Sequence, residues 1–207
     1  MKLELLGALA RTALLGGVLA AGIATAPALA DTYRIDKDHT EVRFSWDHLG
    51  MSRQSGRFLD VTGRISFDPD RAEDSTVDVT IRLDSLQTGV PALDDVLLRT
   101  RDFFEAEKHP TIHFKSSVVT LTTAKTANVT GDLTINGITK PVVLSVVWNF
   151  SGDHPLASVN PTYTGVYASG FSAKTQILRS EWGITRTIPL VSDEIRITIE
   201  AELLRVS

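Results

Sequence analysis

Cysteine is absent from all 207 residues, and that absence closes several routes at once. A disulfide framework, a thiolate nucleophile, covalent haem attachment through C-x-x-C-H and a lipid-modified N-terminal cysteine are all excluded. Stability therefore rests on core packing. Long apolar runs are missing too: residues 12–24 form an apolar stretch shorter than the roughly 20 residues that cross a bilayer as a helix. There is no basic excess, since 21 Lys and Arg stand against 25 Asp and Glu for a net charge of -4, so nucleic acid finds no electrostatic footprint. H-E-x-x-H and G-x-S-x-G are absent, and no 20–50-residue repeat marks a solenoid or propeller.

What is present begins with a leader. Lys2 and Arg11 make a weakly basic start, the apolar stretch follows, and Ala28-Leu29-Ala30 supplies an A-x-A cleavage site. This predicts a Sec signal peptide over residues 1–30, cleavage after Ala30, a periplasmic location and one domain over residues 31–207.

The remainder is dominated by period-two alternation, which sends successive side chains to opposite faces of a sheet. Val42, Phe44 and Trp46 share one face; so do Gly63, Ile65 and Phe67; so do Val77, Val79, Ile81 and Leu83. Further runs are Ile112, Phe114, Ser116 and Val118; Val129, Gly131, Leu133 and Ile135; Val142, Leu144, Val146 and Trp148. The last and cleanest is Ile195, Ile197, Ile199, Ala201 and Leu203. Turn chemistry separates the runs at Asp68-Pro69-Asp70, Asn136-Gly137 and residues 151–155.

Two stretches depart from this pattern. Residues 91–108 place Leu93, Val96, Leu97, Phe103 and Phe104 at helical spacing behind Pro91, which predicts a helix. Residues 151–183 are richer in Gly, Pro, Ser and Thr, although Tyr163, Gly165, Tyr167, Ser169 and Phe171 keep a strand period. The fold class is all-β, a barrel of about eight antiparallel strands with one inserted helix, since closure removes exposed edges. Alternation alone does not say which face points inward; an outer-membrane barrel reverses a soluble one. The helix favours the soluble form.

Several blocks carry a family resemblance. TYRIDKDHTEVRFSWDHLGMSRQSGRF, LLRTRDFFEAEKHPTIHFKSS, VTGDLTINGITKPVVL, ILRSEWGI and VSDEIRITIEAEL occur in the order and at the spacing of the YceI-like family, from Tyr33 to Leu203. The resemblance implies an eight-stranded lipocalin-like barrel in the bacterial periplasm. It implies an apolar tunnel for a polyisoprenoid, an isoprenoid quinone or a polyprenyl phosphate, with no covalent cofactor. One departure is Leu97, where the family block often carries His.

On that resemblance the tunnel-lining residues are Phe44, Trp46, Phe67, Ile81, Phe114, Leu133, Trp148, Phe171 and Ile199. From alternation alone the same residues are equally the core of a filled barrel. Arg99, Arg179, Arg57, Arg53 and His48 are candidates for a polar mouth, because a guanidinium holds a phosphate through two parallel hydrogen bonds. Surface charge or loop-pinning ion pairs, with Asp95 or Glu181 as partners, is the competing account. His39 stands near Asp36, Asp38 and Glu41, which reads as a solvated strand entry before it reads as a metal or acid–base cluster.

Three functions follow. The first is a carrier or store for a small apolar lipid. The second is a structural or redox accessory in transient contact with the membrane or a cytochrome b; a homodimer is a separate expectation that the sequence leaves open. An enzyme acting on a lipid is the third, and it lacks paired carboxylates, a triad or metal-ligand spacing to support it.

Overall fold

The computed structural model describes residues 30–206, so the expected leader lies outside the described residues apart from Ala30. Eleven strand segments follow in order: β1 (Asp31–Ile35), β2 (Glu41–His48), β3 (Ser52–Phe58), β4 (Val61–Phe67), β5 (Thr76–Arg82) and β6 (Leu86–Gln87). The helix α1 (Pro91–Arg99) precedes β7 (Thr111–Thr123), β8 (Thr126–Ile135), β9 (Ile138–Asp153), β10 (Tyr167–Leu178) and β11 (Glu194–Arg205). All neighbours are antiparallel, and β1 closes the ring by pairing with both β4 and β11.

The eleven segments make an eight-stranded barrel because three staves are interrupted. β1 and β2 both lie against β11, through Ile35↔Leu203 and Val42↔Ile199. β3 pairs with β2 while β4 pairs with β1, and β6 extends the line of β5 by pairing with β3. At the first interruption the backbone of Glu202 would lose its partners. The Asp36 N–H donates to the Glu202 carbonyl at 2.8 Å, and the Thr40 hydroxyl accepts from the Glu202 N–H at 3.2 Å. Both groups are thereby satisfied, as buried backbone polar groups must be.

The apolar set of each alternation faces inward. Tyr33, Val42, Phe44, Val61, Phe67, Ile81, Ile112, Phe114, Val129, Leu133 and Val142 are buried, while Arg43, Arg57, Asp78, Lys115, Asp132, Lys174 and Glu200 point outward into solvent. That polarity is the reverse of an outer-membrane barrel. Among the described residues no helix is long and apolar enough to cross a membrane.

Two bulges re-aim side chains where strict alternation fails. On β7 the register shifts between Ser116 and Val118, so Val118 turns out to solvent and Val119 and Leu121 take the inner face. This corrects the expectation that Val118 continues the face of Phe114; an extra residue in a bulge exchanges the two faces beyond it. On β9 and β10 a shift at Gly170/Phe171 pairs Phe171 with Trp148 and leaves Phe150 outside. The β8–β9 hairpin turns on Asn136 and Gly137, at φ 52° and 73°, as the Asn-Gly pair predicts.

The helix is shorter than expected and ends at Arg99, not Lys108. The carboxylate of Asp94 accepts from the Thr88 amide and hydroxyl, at 2.8 and 2.6 Å, tying its first turn to the residue that follows β6. Beyond Thr100 the chain continues in turns, with Phe104 N–H bonded to the Leu97 carbonyl at 3.0 Å. The Phe104 ring meets Phe58 edge-on at 6.0 Å. Phe103 and Phe104 thus keep an inward position through tertiary packing, which mimics helical spacing in the sequence. Together with Trp182, whose indole N–H donates to the Leu133 carbonyl at 3.1 Å, this segment closes one end of the barrel. Tyr163 and Gly165 lie in the β9–β10 connection, ahead of the strand that begins at Tyr167.

Candidate functional site

The barrel is not filled by its own side chains. An apolar cavity of about 240 Å³ runs inside it, walled by every long stave. Phe44, Phe67, Ile81, Phe114, Leu133, Trp148, Phe171 and Ile199 line it. Trp46 does not. It stacks against Phe44 at 5.7 Å, and Phe44 stacks on Phe58 at 5.2 Å, so these rings form a floor and Trp46 lies beneath it. Alternation identified the face of Trp46 correctly and said nothing of its depth along the barrel.

The open end is marked by a gradient of exposure. Around Phe44, Phe58, Val61 and Leu133 the wall is buried, whereas Leu121, Ala124 and Lys125 at the β7–β8 tip are exposed. Ala72 and Ser75, from the turn between β4 and β5, face them across the mouth. Phe67 meets Trp148 and Phe171 edge-to-face, at 5.3 and 5.1 Å, and forms the upper wall. Trp148 is fixed in place: its indole N–H donates to the Phe150 carbonyl at 2.8 Å, and the Lys125 ammonium lies 5.6 Å from its ring centre. The polar side chains in the lining are Thr40, Ser75, Lys125, Thr126 and Thr175, with no carboxylate or imidazole among them.

The structure does not bring the expected mouth residues together. Arg179 is buried, and its guanidinium donates to four backbone carbonyls: Ser192 at 2.9 Å, Ile184 at 3.1 Å, Arg186 at 2.9 Å and Val191 at 3.1 Å. Burial lowers its pKa from the ordinary value, opposed by the nearby Asp193 carboxylate. It pins the 184–192 loop, spends four of its five N–H donors there and does not line the cavity. Arg99 pairs with Asp95 at 3.2 Å on the exposed side of α1. Arg57 lies on the outer face of β3, 3.6 Å from Glu41, and Arg53 pairs with Asp47 at 3.3 Å. His48 ends β2 and bridges to Val191, away from the cavity lining. All five fail as mouth residues for one reason: each lies on an outer face, at the closed end or in a loop, and none reaches the open rim.

His39 falls beside Asp36 at 3.1 Å and Glu202 at 3.9 Å, a partner 163 residues away that sequence proximity could not reveal; Asp38 and Glu41 are not part of the group. The Asp36 hydrogen bond raises the pKa of the imidazole. What sequence reasoning missed was the mouth itself. Lys125 follows a Thr-Thr-Ala turn, and a lone lysine at a hairpin tip carries no signal until the cavity is seen.

A closed antiparallel barrel with a polar exterior and an apolar cavity open at one end defines the lipocalin-like class of β-barrels. Within that class, the chain belongs to the YceI-like family, whose domain model matches residues 33–203. It is 35% identical over 197 residues to a UPF0312 protein of Ectopseudomonas mendocina, covering 94% of this chain and 98% of that relative. A UPF0312 protein of Pseudomonas savastanoi is 37% identical over 178 residues, covering 85% and 86%. Among solved structures, a Campylobacter jejuni YceI protein superposes with a TM-score of 0.66 at 32% identity, over 78% of this chain and 90% of that one. Burkholderia cenocepacia BcnA gives a TM-score of 0.70 at 23% identity, over 81% and 98%. A domain from Saccharophagus degradans, described as polyisoprenoid binding, gives 0.62 at 12% identity, over 86% and 100%; these last two likenesses speak to fold alone.

Proposed function

We propose that this chain is an exported carrier or store for a long, apolar, polyisoprenoid-type lipid, held in the barrel without a catalytic step. The observation that carries the reading is the lining: aromatic and branched side chains from Phe44 to Ile199 surround the cavity, with its few polar groups toward the ends. Each CH2-sized unit moved from water into such a wall contributes about 0.8 kcal/mol, so roughly two units change affinity tenfold. At about 240 Å³ the cavity is smaller than the roughly 300–1,000 Å³ that encloses a whole drug-sized ligand. It suits a short prenyl stretch held tail-inward, with the head at the mouth. General acid–base chemistry needs a titratable group within hydrogen-bond reach of the substrate, and among the described residues the lining offers no carboxylate or imidazole, only Lys125 at the mouth. The polyisoprenoid-binding description of the Saccharophagus domain, on the same fold, supports the ligand class.

The test is expression of the full chain with its leader, release by osmotic shock, native mass spectrometry and organic extraction. A shock-released protein with a co-purifying isoprenoid is expected. A ligand-free mass, together with no uptake of a quinone or polyprenol, overturns the proposal.

A further inference from the structure

Two segments form the rim of the cavity. Residues 68–75 contribute Ala72 and Ser75 to its lining, and residues 121–127 at the β7–β8 tip contribute Leu121 and Lys125. The charged side chains on these two segments are Asp68, Asp70, Glu73 and Asp74 against Arg71 and Lys125, so the rim is net negative. Arg71 is engaged by Asp68 at 3.0 Å and lies 3.8 Å from Asp74. Among the described residues, Lys125 is thus the one cationic side chain of the lining, held over Trp148.

A diphosphate head calls for several cations or a guanidinium fork. Here it would meet one ammonium at the lining and a 68–75 turn whose four carboxylates are only partly offset by Arg71, and like charges repel over a Debye length of about 8 Å at physiological salt. An ammonium can still donate to a neutral oxygen. Resting on the lipid-carrier reading above, we propose that the mouth selects lipids with an uncharged head bearing an acceptor oxygen. Lys125 is the donor, and the acidic 68–75 turn excludes polyanionic heads.

Three ligands with one tail and different heads separate the effects: farnesol, farnesyl phosphate and farnesyl diphosphate, titrated into the full mature chain by calorimetry at low and high salt. Farnesol is expected to bind at least tenfold more tightly than the diphosphate, with the gap narrowing as salt rises. In the Asp70→Asn, Glu73→Gln double variant the diphosphate should gain several-fold while farnesol is unchanged; neither side chain holds the turn, which is built on the Asp68 carboxylate and Arg71. Lys125→Met should weaken farnesol several-fold. Diphosphate binding as tight as farnesol, or a preference unmoved by salt and by the double variant, overturns the inference and leaves the carrier reading standing. Failure of all three ligands, and of a longer quinone, overturns both.

Discussion

The Phe114 ring lies directly over Gly131 of the neighbouring strand, so close that a Cβ at Gly131 would stand 2.6 Å from the ring and 2.5 Å from the Lys115 carbonyl oxygen. The cavity wall at this level is therefore built from a large residue and an empty one, placed side by side on β7 and β8. Gly131→Ala should force the ring toward the cavity and strain the ladder, costing about 1–3 kcal/mol. Thermal denaturation should show a fall of roughly 3–10 °C, and lipid uptake should weaken with it.

The same strand separates inside from outside. Phe114→Asp places an unpaired carboxylate in the apolar interior, at a cost of several kcal/mol against the roughly 5–15 kcal/mol that holds a domain together. Lys115→Gln removes only an exposed pairing with Asp78 at 3.6 Å and should change stability by less than about 0.5 kcal/mol. Chemical denaturation of the two variants checks the register. A silent Phe114→Asp would mean that the faces are reversed.

Arg179 should behave as a loop pin. Arg179→Met leaves the carbonyls of Ile184, Arg186, Val191 and Ser192 without their donor, and a loss of about 3 kcal/mol or more is expected. Arg179→Lys keeps the charge but not the planar fork, so it should recover only part of that. Lipid affinity, measured on the fraction that remains folded, should be unchanged in both. A selective loss of affinity at normal stability would return Arg179 to the ligand site.

His39 makes a pH-dependent contribution with a definite sign. Its folded-state pKa is raised from the ordinary 6.5, first by the Asp36 hydrogen bond. The folded state holds the proton more tightly, so the stabilisation is fully present below pH 6.5 and disappears as pH rises through the folded value. The melting temperatures of the wild type and His39→Gln should differ most at acid pH and converge at alkaline pH. Convergence at the acid end instead would contradict the pairing.

Ala173 is a small residue in the cavity wall, opposite Val146 and Ile199 on the adjacent strands. Ala173→Phe should occupy the space that a lipid tail would take. Because the added ring enters a cavity, the usual overpacking penalty of about 1–3 kcal/mol should not be seen. Unchanged or higher thermal stability, with lipid binding abolished, is the expected pair of results. Retained binding would place the ligand elsewhere.

Period-two alternation, the Asn136-Gly137 turn and the ordered family blocks were enough to specify an all-β antiparallel barrel and the inward face of most strands, because side-chain direction in a strand depends only on local geometry. Depth, closure and bulges are not local. Trp46 shares the face of Phe44 yet lies below the cavity floor, and Val118 shares the parity of Phe114 yet points into solvent past a bulge. The arginines show the same division. Arg179 has the composition of a phosphate clamp, but whether its donors meet a ligand or the carbonyls of its own loop depends on where residues 184–192 fold back. Lys125, unremarked in its hairpin, becomes the cation of the mouth only because β7 and β8 carry it to the rim beside Trp148, which approaches from β9. Sequence by itself determined which side chains are apolar and in what rhythm. The tertiary structure decided which of them enclose a cavity and which charges face it, because strand tilt and register bring residues far apart in the chain to one level of the barrel.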